Sequence, residues 1–318
     1  MMPLPSFDDV LAAAARIAPH AHVTPVLRSR ALDALAGCEL HFKAEPLQRA
    51  GAFKFRGACN AVWALTEAQA RHGVVTHSSG NHGAALALAS RTRGIACHVV
   101  VPEGAVASKL AAIAGYGAVL HRCASTIAER ERACAQLQRD TGATLVHPYA
   151  DARVIAGQGT AALELLNETG PLDALVAPVG GGGLVSGCAI AAARLAPGCR
   201  VHAAEPAGAD DTARSLAAGE RRVDFVPDTI CDGLRGSLGE PNFRLLQAHG
   251  VEVTVVDDEA TVAAMRLLWQ RLKLLVEPSS AIALAAVLAR RDRFAGQRVG
   301  VVLSGGNVDL DALPWSPA

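Results

Sequence analysis

Residues 175–195, LVAPVGGGGLVSGCAIAAARL, join a short apolar run to a longer alanine-rich segment through four consecutive glycines. The run Leu175–Val179 has no polar alternation, which is typical of a strand covered on both faces. The segment from Leu184 has the length and composition of a buried helix. A buried strand, a glycine loop and a buried helix in this order predict one unit of an α/β fold with a parallel sheet.

The same alternation of short apolar runs and longer Ala/Leu-rich segments extends along the chain. Two further runs end in glycine loops: Val74–His77 precedes Ser78–Gly83, and Val299–Leu303 precedes Ser304–Asn307. Other predicted strands are 97–101 and 251–256, and predicted helices are 84–90, 160–167, 185–195, 259–272 and 280–290. Strands that alternate with helices predict α/β architecture with mainly parallel sheets. In such sheets, ligands bind beyond the carboxyl ends of the strands, where these loops lie.

The composition describes a chain that can bury a large core, since 51% of its 318 residues are hydrophobic and 19% are charged. Thirty basic residues balance thirty acidic ones, so the basic footprint of a nucleic-acid-binding protein is absent. The longest apolar run, Ala281–Ala289, has nine residues, whereas a membrane-spanning helix needs about 20. Asp8 and Asp9 stand where a signal peptide would carry basic residues. We therefore expect a cytoplasmic protein without nucleic-acid or membrane partners.

The loop Gly180–Gly183 is the sharpest candidate for ligand binding. Its amides can approach a phosphate closely because no Cβ atom intervenes, and the helix that follows adds unpaired N–H groups. Neither Val185 nor Ser186 supplies the third glycine of a dinucleotide-binding fingerprint, and no lysine follows a glycine as in a Walker loop. The loop therefore predicts a binding site for a single phosphate group of another cofactor. The alternative is a flexible surface turn.

Lys54 is one of only four lysines among thirty basic residues. An amine that loses its proton can form a Schiff base, whereas a guanidinium effectively cannot. The neighbours Phe53 and Phe55 predict partial desolvation of this amine, which lowers its pKa. Lys54 is therefore a candidate nucleophile. The alternative is an ordinary surface lysine in a chain whose arginine content reflects genomic base composition.

Four motifs, in order, resemble those of pyridoxal-phosphate (PLP) enzymes of fold type II, and most of all the serine/threonine dehydratase and serine racemase group. The motifs are Phe53-Lys54-Phe55-Arg56-Gly57-Ala58, Ser78-Ser79-Gly80-Asn81-His82-Gly83, Gly180-Gly181-Gly182-Gly183 and Ser304-Gly305-Gly306-Asn307, and Ile155–Thr160 and Glu277-Pro278 are similar too. The resemblance implies a tryptophan synthase β-subunit-like fold with two doubly wound parallel-sheet domains. Residues 1–63 and 152–318 would form a large cofactor-binding domain and residues 73–142 a small mobile domain, with crossovers at 64–72 and 143–151. It also implies a homodimer.

The resemblance further implies how the chain would hold PLP. Lys54 would form an imine with the cofactor aldehyde and then act as the base at the substrate Cα. Phe53 would pack against the ring, Asn81 would hydrogen-bond its phenolic oxygen, and Gly180–Gly183 would bind the phosphate. Ser304 would face the pyridine nitrogen. A hydroxyl there leaves the ring nitrogen largely unprotonated, which favours prompt loss of a β-leaving group over a long-lived carbanion.

The substrate carboxylate would be held by Ser78, Ser79, Gly80, Asn81 and His82. Amides at a helix start suit such an anion. Ser79 also resembles the second acid/base of serine racemases, on the ring face opposite Lys54. Carboxylate binding alone is the alternative role for Ser79.

Two further residues, Tyr149 and Arg235, lie in stretches that shape the side-chain pocket in relatives. An arginine in such a pocket selects a β-carboxylate, as in 3-hydroxyaspartate. A purely structural role for Arg235 is the alternative.

The stretch Ala204–Asp211 resembles the divalent-cation site of serine racemases and related dehydratases. Glu205 and Asp211, with the carbonyl of Ala209, offer the hard oxygen ligands that Mg²⁺, Ca²⁺ or Mn²⁺ prefer. The alternative is a solvated acidic loop.

Together these residues predict a PLP-dependent ammonia-lyase (dehydratase) that converts L-threonine or L-serine to a 2-oxo acid and ammonia. The alternatives are a serine racemase with dehydratase side activity, and a dehydratase of 3-hydroxyaspartate or phenylserine. A cysteine synthase is disfavoured because His82, rather than the threonine usual there, follows Asn81. A small-molecule binding protein with a decayed site is the non-enzymatic alternative.

Overall fold

The computed structural model describes residues 4–315 of the chain. Its strands are β1 (Val26–Leu27), β2 (Glu39–Ala44), β3 (Val74–His77), β4 (Cys97–Pro102), β5 (Val119–Cys123), β6 (Thr144–Leu145), β7 (Ala174–Pro178), β8 (Arg200–Pro206), β9 (Glu252–Val256) and β10 (Arg298–Leu303). Its helices are α1 (Phe7–Ile17), α2 (Arg30–Ala36), α3 (Lys54–Trp63), α4 (Glu67–His72), α5 (Asn81–Arg93), α6 (Ala107–Gly115), α7 (Ile127–Thr141), α8 (Ala152–Thr169), α9 (Gly183–Leu195), α10 (Asp211–Ala218), α11 (Glu240–Ala248), α12 (Asp258–Arg271), α13 (Pro278–Ala289) and α14 (Arg291–Phe294). Among these residues no helix combines the length and apolar character needed to cross a membrane.

The larger sheet has six strands in the order β1-β2-β10-β7-β8-β9. Every neighbouring pair is parallel except β1 and β2, which are antiparallel. Helices cover both faces, so successive residues of one strand enter different cores: Val301 packs with residues of α12 and α13, and Val302 packs with residues of α9. Burial on both faces explains why the central strands are uninterrupted apolar runs.

The smaller sheet has four parallel strands in the order β5-β4-β3-β6. Val74 of β3 packs with α3 and α5, whereas Val75 packs against Cys134 of α7 on the other face. Strand β3 therefore ends between two covered faces, and its last residue leads directly into the loop Ser78–Gly80.

The predicted fold class is confirmed, since both sheets are doubly wound and predominantly parallel. The predicted helices lie within α5, α8, α9, α12 and α13, except that the predictions for α12 and α13 each extend one residue beyond the observed end. The first helical turns of α8 and the ends of α5 were not predicted. Strand β6 lies inside the segment 143–151, so the smaller sheet takes two residues from a stretch predicted as a crossover. The division into a large and a small mobile domain stays a prediction.

A buried ionic network fixes the helix that begins with Lys54. The Arg56 guanidinium donates to both carboxylate oxygens of Glu45 at 2.7 and 2.8 Å and to Glu164 Oε1 at 2.6 Å. Lys43 Nζ donates to Glu164 Oε2 at 2.6 Å and to the Thr24 carbonyl at 2.5 Å. Two cations and two carboxylates balance in charge, which is what permits their burial. The network therefore joins α3, α8 and β2.

Candidate active site

The connection that leads into α3 is paired to the loop that follows β10. Phe53 N donates to Ser304 O at 2.9 Å, and Gly306 N donates to Gly51 O at 2.9 Å. Ser304 is buried, and its Oγ donates to the Ser279 carbonyl at 3.4 Å. Two motifs separated by about 250 residues of sequence thus form one backbone unit at the carboxyl end of the larger sheet.

Lys54 is the first residue of α3 and directly follows this unit. Its Nζ donates to the Pro148 carbonyl at 3.1 Å and lies 5.0 Å from the centroid of the Phe53 ring. Desolvation by the surrounding protein lowers the pKa of Lys54 to about 8, while the Glu277 carboxylate opposes that shift. A lowered pKa increases the fraction of neutral, nucleophilic amine near neutral pH.

The loop Gly180–Gly183 is packed rather than flexible. Gly182 has φ +91°, a backbone conformation that favours glycine. A Cβ at Gly180 would lie 2.8 Å from Leu234 Cα, and one at Gly181 would collide with the Tyr149 ring. Outside helices and strands, none of the hydrogen bonds formed by residues 4–315 uses an amide of this loop as donor. Unpaired amides at the start of α9 fit a phosphate group. The Lys54 amine could bind an aldehyde, so the residues present fit both reactive groups of PLP.

Asn81 is bonded both to Asn307 and to Glu277, a buried carboxylate to which sequence reasoning assigned no role. Asn81 Nδ2 donates to the two Glu277 oxygens at 2.9 and 3.2 Å. Asn307 Nδ2 donates to Asn81 Oδ1 at 2.9 Å. Burial and the charge of Asp232 raise the pKa of Glu277 to about 7. The only signal in the sequence was Glu277-Pro278, because proline suits the first position of a helix such as α13.

The predicted carboxylate loop forms the entry to α5. Ser78, Ser79 and Gly80 are half-buried, and the helix starts at Asn81. His82 is buried; its Nε2 lies 3.2 Å from the Val146 carbonyl, and its Nδ1 has no partner in the described structure. Burial and the nearby Lys54 charge hold the pKa of His82 well below its usual value. The loop therefore combines helix-start amides, of which Gly80 N donates to Ser78 Oγ at 3.4 Å, with a neutral imidazole.

Glu205, near the end of β8, and Asp211, the first residue of α10, are fully buried, and the Glu205 carboxylate lies at the start of α10. The Glu205 oxygens accept from Thr212 N and Ala213 N at 2.8 Å each, and Asp211 Oδ2 accepts from Leu238 N at 2.8 Å. Burial raises the pKa of Glu205 to about 8 and that of Asp211 to about 6. Asp211 Oδ1 is buried without a partner in the described structure. An orphaned carboxylate oxygen beside a second carboxylate fits a cation, although residues 4–315 hold no cluster of three or more His, Cys, Asp or Glu side chains placed to bind a metal.

Of the two predicted pocket residues, Tyr149 lies against the glycine loop, whereas the Arg235 guanidinium donates to a backbone carbonyl of its own segment. The Tyr149 ring covers Gly181, and its backbone contacts Gly183. Arg235 is exposed, and both its Nε and its Nη2 donate to the Thr229 carbonyl, at 3.1 and 2.5 Å. These bonds support the structural alternative for Arg235.

The same arrangement of loops and sheets occurs in known proteins. Residues 17–305 match the family described as pyridoxal-phosphate dependent enzyme. This chain belongs to that family. A beta-hydroxyaspartate dehydratase from Paracoccus denitrificans (strain Pd 1222) is 48% identical over 315 residues, covering 99% of this chain and 100% of that protein.

Solved structures of pyridoxal-phosphate dependent enzymes share the fold along nearly the whole chain. Maize serine racemase has a TM-score of 0.95 and 45% identity, covering 97% of this chain and 95% of that chain. A threonine deaminase from T.th. has a TM-score of 0.91 and 44% identity, covering 98% of this chain and 100% of that chain. The predicted resemblance to fold type II PLP enzymes is therefore confirmed. The roles of the individual site residues stay predictions.

Proposed function

We propose that this chain removes water from a β-hydroxy amino acid and releases a 2-oxo acid and ammonia. The observation that carries the proposal is the Lys54 amine, which lies 5.0 Å from the centroid of the Phe53 ring and has a pKa lowered to about 8. Similarity to a dehydratase and to a deaminase supports the same class of reaction. L-Threonine and L-serine are the substrates that the sequence favoured, and 3-hydroxyaspartate and phenylserine are the alternatives.

The proposed roles of the residues follow from their positions. The amides from Ser78 to Asn81 at the start of α5 bind the substrate carboxylate. PLP, when bound, supplies the electron sink for the electron pair released at Cα. The neutral Lys54 amine takes the Cα proton, which is the step that its lowered pKa favours. The β-hydroxyl takes up the proton that Lys54 removed from Cα and leaves as water, and the enamine that remains is hydrolysed by a second water to the 2-oxo acid and ammonia.

We also propose that Glu205, Asp211 and the Ala209 carbonyl bind a divalent cation, with Mg²⁺ first and Ca²⁺ or Mn²⁺ as alternatives. The support is the unpartnered Asp211 Oδ1 and the raised pKa of both carboxyl groups. A cation would replace the protons that these buried groups otherwise retain. Its role would be structural, because Asp211 also accepts from Leu238 N in the segment that packs on the glycine loop.

Serine racemization is the second candidate. It is favoured by the half-buried Ser79 at the start of α5 and by the likeness to maize serine racemase. In a racemase, Ser79 would return a proton to the face of Cα opposite Lys54. Elimination and racemization differ only in which event follows Cα deprotonation.

The purified holoenzyme tests both candidates with a panel of L-serine, L-threonine, 3-hydroxyaspartate and phenylserine, each with and without Mg²⁺. Formation of 2-oxo acid is expected, and it is expected to disappear in Lys54→Ala. Chiral analysis of the recovered serine measures racemization in the same samples. Absence of 2-oxo acid from every substrate would refute the dehydratase proposal, and D-serine without 2-oxo acid would establish the racemase instead.

A further inference from the structure

Asn242, on the first turn of α11, is a buried polar side chain to which the proposed reaction gives no role. Its Nδ2 donates to the Gly181 carbonyl at 2.5 Å and to the Tyr149 carbonyl at 3.0 Å. Both partners are carbonyl oxygens, which can only accept, so they fix the orientation of the Asn242 amide. One side chain therefore joins the glycine loop to Tyr149, whose ring covers the same loop.

The Gly181 carbonyl has a second donor from the same helix start. Gly239 N, immediately before α11, donates to it at 3.1 Å. Glycine at 239 permits this approach, because a Cβ there would lie 2.8 Å from Asn242 Nδ2 and 3.2 Å from Tyr149 Cδ2. Two donors on one side hold the Gly181 carbonyl toward the start of α11.

The direction of this carbonyl sets the direction of the next amide. The peptide between Gly181 and Gly182 is trans, and the C=O and N–H groups of a planar trans peptide point in opposite directions. With the carbonyl toward α11, the Gly182 N–H points away from α11. The described structure provides no acceptor for that N–H. It is therefore a free donor on the side of the loop where an anion can approach.

Glycine also permits the opposite orientation of this peptide. Gly182 has φ +91°, and rotation of the peptide by half a turn would bring φ to about −90°, which is allowed for every residue. The rotated peptide would present the Gly181 oxygen where the Gly182 N–H now lies, and a carbonyl oxygen repels a phosphate. The two bonds to the Gly181 carbonyl oppose this rotation.

We propose that Asn242 is a positioning residue for cofactor binding, which holds the peptide between Gly181 and Gly182 so that its N–H faces the phosphate. The proposal rests on the proposed function, since it takes Gly180–Gly183 as the phosphate site, and it adds a residue from outside that loop. Asn242 Oδ1 is buried without a partner in the described structure. An unsatisfied buried acceptor is costly and uncommon, so a residue that only filled this space would be better apolar.

The test measures the binding of PLP and of pyridoxal to the cofactor-free full chain. Pyridoxal has the same ring and aldehyde but no phosphate, so it reports on the rest of the site. Asn242→Leu keeps a similar size without the donor. It is expected to weaken PLP binding about 10-fold and pyridoxal binding less than about 2-fold. The phosphorus NMR signal of bound PLP should also shift, because the phosphate loses a fixed donor.

Asn242→Asp is the second variant, because it keeps the shape and replaces the donor by an acceptor; the same selective loss is expected. Gln247→Leu is the matched control, because Gln247 is an exposed amide side chain on the same helix. Its affinities for both compounds should stay at the wild-type values.

Equal losses for PLP and pyridoxal in the Asn242 variants would overturn the inference and leave Asn242 a structural residue of α11. Unchanged PLP binding in both variants would overturn it as well. If wild-type protein forms no 2-oxo acid from any substrate, the elimination proposal fails, and the two titrations still decide the role of Asn242.

Discussion

Asn81 and Glu277 join the start of helix α5 to the start of helix α13 through hydrogen bonds of 2.9 and 3.2 Å across 196 positions of sequence. Glu277 also faces Lys54, since its charge opposes the lowering of the lysine pKa. One buried carboxyl group therefore orients the amide proposed to contact the cofactor and tunes the amine proposed to bind it.

Replacement of Glu277 by Gln should lower the pKa of Lys54 further below about 8, because the nearby negative charge is lost while the burial remains. The measurement is the pH dependence of the rate at which cofactor-free protein forms an imine with added PLP. The midpoint should move to lower pH. Glu259→Gln, on the exposed side of α12, is the control that should not move it. An upward shift in Glu277→Gln would contradict the assigned electrostatics.

The contribution of three buried carboxyl groups to the stability of the metal-free protein should decrease as the pH rises from about 5 to about 8. Glu205, Glu277 and Asp211 have pKa values raised to about 8, 7 and 6, whereas unfolded carboxyl groups titrate near 4. At these three groups the folded state holds more protons than the unfolded state across this window, so their stabilising contribution is present at low pH and is lost as the pH passes the folded values. Comparison with Glu205→Gln separates this contribution from that of the buried histidines, whose lowered pKa values act in the opposite direction. Thermal unfolding measured against pH checks this.

Addition of Mg²⁺ at pH 8 should raise the melting temperature by a few degrees, because the cation binds the deprotonated carboxylates of the folded state. Glu205→Gln should weaken both the pH dependence and the response to Mg²⁺. An unchanged Mg²⁺ response in that variant would place the cation elsewhere.

Arg56→Met should destabilise the protein by about 3–5 kcal/mol, since it leaves the buried carboxylate of Glu45 without its partner. The exposed pair of Arg132 and Glu129 provides the comparison, and Arg132→Met should cost only about 0–1 kcal/mol. Urea unfolding of the two variants measures the difference. Similar losses in both would show that the buried network does not stabilise α3.

Gly182→Ala should weaken PLP binding and destabilise the loop by about 1–3 kcal/mol, because alanine at φ +91° is strained. Its Cβ would also lie 2.7 Å from Leu238 Cδ1 and from Asn242 Cβ. Gly198→Ala is the matched control, since a Cβ there meets nothing within 4 Å. Equilibrium dialysis of PLP against both variants gives the comparison, and equal affinities would argue against a phosphate role for the loop.

The local hydrophobic pattern was sufficient to predict the strand–loop–helix units from which the fold is built. The apolar run before Gly180 and the alanine-rich segment after Gly183 specify strand and helix because both are buried on all sides. Strand β1 was not predicted, since two residues carry no pattern of their own and pair only because β2 offers an edge. Strand β4 contains the predicted run 97–101, which was predicted for the same reason as β7, as a short and largely apolar segment.

The order of residues along the chain was enough to establish which chemical groups are available: a rare lysine between aromatic residues, bare glycine amides before a helix, and a loop of small polar residues after a strand. Which charges meet was established only by the packing of the folded chain. Glu277 reaches Asn81, and Arg235 is bonded to its own segment. Contacts such as that of Glu277 with Asn81 join residues far apart in the chain, where no spacing rule applies and only the packing of the two sheets fixes the distances.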